Sequence, residues 1–253
     1  MDKIKTLAVT GKGGTGKTVV ATLLIRLLSE RFPGRVLAID ADSAQSLCYT
    51  TGLKVEKTVS MVRDELLGIN DARSKLDSGP TKNIMREILA RGNGFDLLTM
   101  GRPEEPGCYC ACNELLRYGI ETLIDDYDFC IVDGEAGPEQ LNRRVMQSID
   151  CLLVMADMSA RSLQTAAGII EVAKKGQNNI DVKRSGLVLN RVRDDQPTEE
   201  LLKKIGVEVL GQLPEDPLVN KYDREGTSLF DLPLDSNCPK AVLNILKKLI
   251  PNL

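Results

Sequence analysis

Seven short apolar runs, each joined to the next through a longer stretch of mostly helical periodicity, constrain this chain more than any other feature. The runs are Ile4–Thr10, Arg35–Asp40, Phe95–Met100, Phe129–Asp133, Cys151–Ala156, Gly186–Asn190 and Val207–Leu213. Several lack a polar/apolar alternation, which is how strands read when helices cover both faces of a parallel sheet. Helices are expected at Lys17–Arg31, where Ala21, Leu24, Ile25 and Leu28 fall at i, i+3, i+4 and i+7, and at Ala160–Lys175. Others are expected near Lys82–Ala90, Glu114–Asp125, Glu139–Ser148, Thr198–Lys204 and Lys240–Leu249. The pattern predicts an α/β protein with one doubly wound, mostly parallel sheet. No repeat, low-complexity tract or Pro/Gly/Ser linker divides residues 1–253, so a single domain is expected, with a polar rim insertion at about 53–80.

Residues 11–18 read GKGGTGKT, directly after the first strand and opening the first long helix. This is G-x-x-x-x-G-K-[ST] in the strand–loop–helix setting that makes it a phosphate loop. Gly11, Gly13, Gly14 and Gly16 let successive backbone N–H groups turn inward towards phosphate oxygens. The helix N-terminus adds partial positive charge. In this motif Lys17 reaches the β/γ-phosphates and the Thr18 hydroxyl joins a Mg²⁺ shell.

Composition narrows the chemistry. The chain has no histidine, which removes histidine general bases, Ser-His-Asp triads and every Cys/His zinc pattern. Its net charge of −3 gives little support to nucleic-acid binding. The start leads directly into a strand pattern without a signal-peptide core, and no apolar run is long enough to cross a membrane, so a cytoplasmic location and reduced thiols are expected. The last helix carries a stripe of Val242, Ile245, Leu246, Leu249 and Ile250, as expected of a helix packed on the sheet; a membrane surface is the alternative.

Seven cysteines occur, at 48, 108, 110, 112, 130, 151 and 238. Three of them fall within GCYCACNELLRY, residues 107–118, between the third strand and its helix. In an extended segment Cys108 and Cys110 point the same way. A Gly/Pro-flanked polar loop makes a poor core segment, so metal or redox use stands against inert thiols. With three clustered sulfurs and no imidazole, a closed four-sulfur site needs either a distant cysteine or a second copy of the chain. A two-fold dimer supplies two plus two, suited to Zn²⁺ or Ni²⁺. Cys112 is an auxiliary ligand or faces away; Cys48, Cys130 and Cys151 read as packing residues.

The second lysine of the loop, Lys12, makes GKGGTGKT resemble the deviant Walker A loop of the nitrogenase iron protein, MinD and ParA class of ATPases. The resemblance implies ATP/ADP and Mg²⁺ as cofactors, and Lys12 reaching the partner subunit's nucleotide in a homodimer. It also implies that Asp42 positions the attacking water, that Asp40 lies near the magnesium shell, and that Asp133 holds a metal-bound water within a switch that continues to Gly137. At positions 43 and 44 the chain has Ser43 and Ala44 where the class commonly has proline and an acid. The implied catalytic residues are Lys12, Lys17 and Asp42. The implied nucleotide contacts are Gly11, Lys12, Gly13, Gly14, Thr15, Gly16, Lys17, Thr18 and Val19, with Asn190 at the adenine edge beside Arg191 and Pro214 in the loop over the base.

Taken together, GKGGTGKT, Cys-Tyr-Cys with Asn113, Leu115 and Leu116, and Asp133 with Ala136, Gly137, Glu139 and Leu141 resemble CooC. These are the nickel-insertion accessory ATPases of the carbon monoxide dehydrogenase system, including relatives that serve acetyl-CoA synthase. The resemblance implies that Cys108 and Cys110 of both subunits hold one Ni²⁺, or Zn²⁺ in the same site, with Cys112 a possible addition. It implies an apo carbon monoxide dehydrogenase or acetyl-CoA synthase as client, and no nucleic-acid or membrane partner. An ATP-dependent iron–sulfur reductase is the nearest rival, but it places a ligand cysteine in the second switch, and residues 133–138 have none. A positioning ATPase like MinD or ParA is the other.

Overall fold

The computed structural model describes residues 4–67, 79–102, 109–136, 146–176, 180–193, 202–203, 206–251 and 253. The strands are β1 (Thr6–Gly11), β2 (Val36–Asp40), β3 (Ala90–Arg91), β4 (Phe95–Thr99), β5 (Phe129–Ala136), β6 (Ser148–Ala156), β7 (Asp181–Val192) and β8 (Val209–Pro214). They form one eight-stranded sheet in the order β3-β4-β2-β5-β1-β6-β7-β8. Every pairing is parallel except β3 with β4 at one edge. The first half of the sheet, β2 to β5, lies to one side of β1, and the chain then crosses from β5 to β6 on its other side. Strand β1 therefore lies at the point where the strand order reverses, where open α/β sheets bind ligands beyond the carboxyl ends of their strands.

The helices are α1 (Lys17–Arg31), α2 (Ser46–Thr51), α3 (Val59–Leu67), α4 (Gly79–Glu87), α5 (Tyr109–Leu123), α6 (Ala160–Lys175), α7 (Pro217–Glu225) and α8 (Asn237–Leu249). They cover both faces. Leu37, Ile39 and Leu98 meet α3, α4, α5 and α6 on one side. Val36, Ala38 and Leu97 meet α1, α2 and α8 on the other. Neighbouring residues of one strand therefore enter opposite cores, which explains the unbroken apolar runs.

Two helices, α1 and α6, begin and end where periodicity places them. For α6 the signals are local: Ser159 accepts from Ser162 N at 3.3 Å at one end, and Gly176 is left-handed at the other. Helix α5 starts five residues earlier than expected, at Tyr109 in place of Glu114. Cys112 extends the stripe of Leu115, Leu116, Ile120 and Leu123 by one turn, and this burial draws the cysteine segment into the helix. Helices α2, α3 and α7 and the strand β3 are not expected from periodicity, being short or weakly patterned. The stretch 53–80 contributes more to packing than its polarity suggests, since Val59 and Val62 of α3 join the core. Of the expected helix Glu139–Ser148, Ser148 instead opens β6, and residues 139–145 lie outside the described residues. Of Thr198–Lys204, only 202–203 are described, as helix.

Helix α8 turns Val242, Ile245, Leu246 and Leu249 into the core formed with α1 and β8, so the apolar stripe is spent on the sheet. Among the described residues no helix is long and apolar enough to cross a membrane. The docking is close: a Cβ on Gly211 of β8 would lie 2.3 Å from Ile245 Cγ1. Gly211→Ala is therefore expected to overpack this contact and destabilise the fold by about 1–3 kcal/mol, read as a lower urea midpoint with an unchanged slope.

Candidate functional site

The phosphate loop joins β1 to α1. Within it Thr15 Oγ1 donates to Lys12 O at 2.7 Å, closing the turn on itself. Gly16 is left-handed, with φ of 89°, and a Cβ there would lie 2.3 Å from Asn190 Nδ2, so only glycine fits. Helix α1 starts without a side-chain cap and without an acid in its first turn. Its leading N–H groups and positive dipole end are thus left for an external anion. Lys17 is buried in that first turn, whereas Lys12 and Thr18 are half-buried.

Two carboxylates lie towards the carboxyl ends of neighbouring strands: Asp40 is the last residue of β2, and Asp133 lies inside β5, close to Lys17 and Thr18 of the loop. Asp40 and Asp133 are paired in register across β2 and β5, both buried. Burial raises each to about 7; the Asp133 charge adds to the rise at Asp40. The oxygens of Asp40 accept from Asp42 N at 3.2 Å and Leu47 N at 3.0 Å. Asp40, not Asp42, thereby fastens the start of α2. Asp42 is half-buried in the intervening loop, with Oδ1 accepting from Ala44 N at 2.9 Å.

Asp133 differs: neither carboxylate oxygen has a hydrogen-bond partner among the described residues. Thr18 and Lys17 lie close enough to pull its pKa down against the effect of burial. A buried carboxylate left open beside a hydroxyl suits a hard cation bound through one or two protein groups, waters and phosphate oxygens, as Mg²⁺ is. No cluster of three or more cysteine, aspartate or glutamate side chains able to hold a metal by itself occurs among the described residues.

Beside the loop, Gly16, Val19, Asn190, Arg191, Pro214 and Asp216 line one small cleft. It unites segments far apart in sequence. Asn190 Nδ2 donates to Thr15 O at 2.8 Å, and its Oδ1 accepts from Arg191 N at 2.9 Å. The amide expected at a base edge is therefore largely committed to bracing the phosphate loop. Arg191 has a positive φ of 55°, a strained state that this contact helps to hold. Asp216, in the stretch expected to close over the base, has a role the sequence does not display: buried, it accepts from Leu218 N at 3.0 Å and from Cys238 N at 2.9 Å, capping α7 and α8 together. The Asp216-Pro217 pair is a readable helix start. A larger cavity, of about 580 Å³, lies between α3, α4 and β3, and none of the expected site residues lines it.

The residue 6–229 segment matches the CobQ/CobB/MinD/ParA nucleotide binding domain. The chain belongs to this family. It is a nucleotide-binding ATPase of the CobQ/CobB/MinD/ParA class. It is 40% identical to an uncharacterized ATP-binding protein of Methanocaldococcus jannaschii, over 96% of this chain and 98% of that one. It is 28% identical to the carbon monoxide dehydrogenase accessory protein CooC of Rhodospirillum rubrum, over 89% of each. Its fold matches the septum site-determining protein MinD of Pyrococcus horikoshii, solved with Mg-ADP, with a TM-score of 0.73 and 24% identity over 97% and 96% of the two chains.

The cysteine cluster divides. Cys110 lies in the first turn of α5, so it does not belong to the extended segment expected to align it with Cys108; Cys108 is outside the described residues. Cys112 is fully buried and packs into the core, in keeping with the alternative that it faces away from a shared site. Cys130, Cys151 and Cys238 are buried too, with burial pushing each thiol up to about 12, while Cys48 is half-buried. Gly137, Glu139 and Leu141 of the expected second switch are outside the described residues.

The carboxylate pair gives a pH signature. Without metal or nucleotide, folded Asp40 and Asp133 keep protons up to about pH 7 that the unfolded chain releases near its value of 3.8. Stability contributed below that lower value is lost as pH rises through the folded one. Asp133→Asn is expected to flatten this loss. Denaturant unfolding at pH 5 and 7 in chelator checks it, and an unchanged slope would contradict a protonated Asp133.

Proposed function

We propose that the chain is an ATP-switched metallochaperone, a homodimer that holds one Ni²⁺ through Cys108 and Cys110 of both subunits and passes it to apo carbon monoxide dehydrogenase or acetyl-CoA synthase. One observation carries this reading. Cys110 lies in the first turn of α5, in the connection leaving β4, and β4 pairs directly with the strand that ends in Asp40. A thiol-bearing turn and the phosphate loop thus share the carboxyl edge of one sheet. The likeness to the Rhodospirillum accessory protein supports the same reading. Three clustered sulfurs without histidine favour a site completed by a second copy. Free thiols fit a cytoplasmic setting.

In this reading the triphosphate lies against the N–H groups of Gly11 to Thr18, including Gly13, Gly14, Thr15 and Gly16. Lys17 neutralises its β/γ end, and Val19, Asn190, Arg191 and Pro214 wall the base. Thr18 and Asp133 would hold Mg²⁺, with Asp40 beside them, and the ion would supply charge neutralisation at the phosphates. Asp42, in the half-buried loop after β2, orients the attacking water, and Lys12 of each subunit crosses to the other's phosphates as an arginine finger does. Loss of the γ-phosphate loosens the loops after β2 and β5. ATP favours the loaded state only as far as it binds that state more tightly. Zn²⁺ competes for the same sulfurs.

A positioning ATPase is the second reading, favoured by a family that includes MinD and ParA. Co-sedimentation with liposomes or DNA in ATP would support it, although α8 would have to leave the sheet to offer its apolar stripe. The decisive pair of variants is separate. Cys108→Ser with Cys110→Ser should keep ATP affinity within about twofold and lose nickel from the dimer; stoichiometric nickel in that variant rejects the reading. Lys12→Ala should bind nucleotide yet lose most turnover, on the order of 10³-fold if it acts like an arginine finger. Unchanged turnover would argue against activation in trans.

A further inference from the structure

Cys112 is the one cysteine of the cluster that the proposed nickel site leaves unused, and the structure gives it a partner. Arg63 of α3 donates from Nη1 to Cys112 Sγ at 3.6 Å. Both side chains are buried: Cys112 is 0% exposed and the Arg63 side chain 6%. Arg63 Nη2 also lies 2.6 Å from Asp64 Oδ1. A guanidinium withdrawn from water must keep its polar neighbours, because losing one leaves a buried charge uncompensated. Helices α3 and α5 are thereby pinned together at the turn just after Cys110.

The beginning of α3 is pinned to the nucleotide side. Met100 N donates to Asp40 O at 2.8 Å, and Ser60 N donates to Met100 O at 2.9 Å. The hydroxyls of Thr58 and Ser60 share a hydrogen bond of 2.9 Å. They close around Gly101, whose φ is +78° and where a Cβ would collide with both hydroxyl oxygens, so no side chain is admitted. Arg63 comes three residues after Ser60, one turn along the same helix face. A continuous series of short contacts therefore runs from the end of β2 through α3 to α5.

We propose that Arg63 and Cys112 are positioning residues that transmit movement of the Asp40–Asp42 loop to the first turn of α5. The inference deepens the metallochaperone reading, since that turn contains Cys110, but the mechanical link does not require nickel. Nucleotide that shifts the loop after Asp40 moves α3 through Met100 and Ser60. The Arg63–Cys112 contact then moves α5, because a buried, charge-assisted contact resists stretching.

Backbone hydrogen exchange over residues 109–113, with and without AMP-PNP and Mg²⁺, tests this in the full chain. In the unmodified protein, nucleotide should change exchange there about fivefold or more, the lower end of ordinary coupling between sites. Cys112→Val, nearly the same shape without an acceptor, should leave less than about a twofold change at 109–113 while residues 40–47 still respond. Cys112→Ser, which keeps an acceptor, should restore the response. Should the valine variant lose protection everywhere, Arg63→Met serves in its place. A full response in the valine or methionine variant, or none in the unmodified chain, overturns the inference. Nickel binding measured in parallel separates the two ideas: intact transmission without any bound nickel rejects the metal reading alone.

Discussion

The fold is organised around an electrostatic liability, two buried carboxylates held side by side at the carboxyl edge of the central strands. Asp40 and Asp133 are fixed in register by the β2–β5 ladder and cannot move apart without breaking the sheet. Burial raises both to about 7, helped at Asp40 by the Asp133 charge and at Asp133 by the Asp42 charge. One is satisfied internally through the amides of Asp42 and Leu47; the other is left open beside Thr18 and Lys17. In the proposed reading a cation arriving with phosphate would relieve the open one, so ligand binding would stabilise the native state.

That edge is also where distant segments meet. The loop after β1, closed internally by Thr15 and Lys12, is also braced by Asn190, which arrives from β7 and donates to the Thr15 carbonyl. The wall of the adjoining cleft depends on Asp216, whose two oxygens cap two different helices. Each is a small buried polar contact, worth about 0.5–1.5 kcal/mol for a neutral hydrogen bond and more with a carboxylate acceptor. Their larger effect is geometric, because they preset the shape of the cleft beside the phosphate loop.

Cys112 shows how helix phase decides the environment of a residue that its sequence neighbourhood places in a polar loop. Cys112 falls in phase with Leu115 and Leu116 and is drawn into the core, where it meets Arg63. Cys110 lies two residues earlier, in the first turn of the same helix. Arg63 itself sits in a segment whose polarity suggested a rim position, yet its guanidinium is buried. A charged residue can take such a place when its partners come from another helix, and a one-dimensional pattern does not display those partners.

The layered α/β architecture, the phosphate loop and the two aspartates on neighbouring strands were all legible in the order of residues along the chain, although β5 runs on past Asp133 to Ala136. These depend on local rules: apolar runs covered on both faces, 3.6-residue periodicity, and glycines where the backbone must turn. Helices α1 and α6 fall within the bounds that such rules set, and α6 carries its own start and stop signals. Other features were settled by the folded molecule: Asn190 braces Thr15, Asp216 unites two caps, Asp40 and not Asp42 fastens α2, and Cys112 belongs to the core. Each of those depends on a partner tens to hundreds of residues away or on a competition between adjacent acids, and only packing of the finished sheet brings such groups within hydrogen-bonding distance.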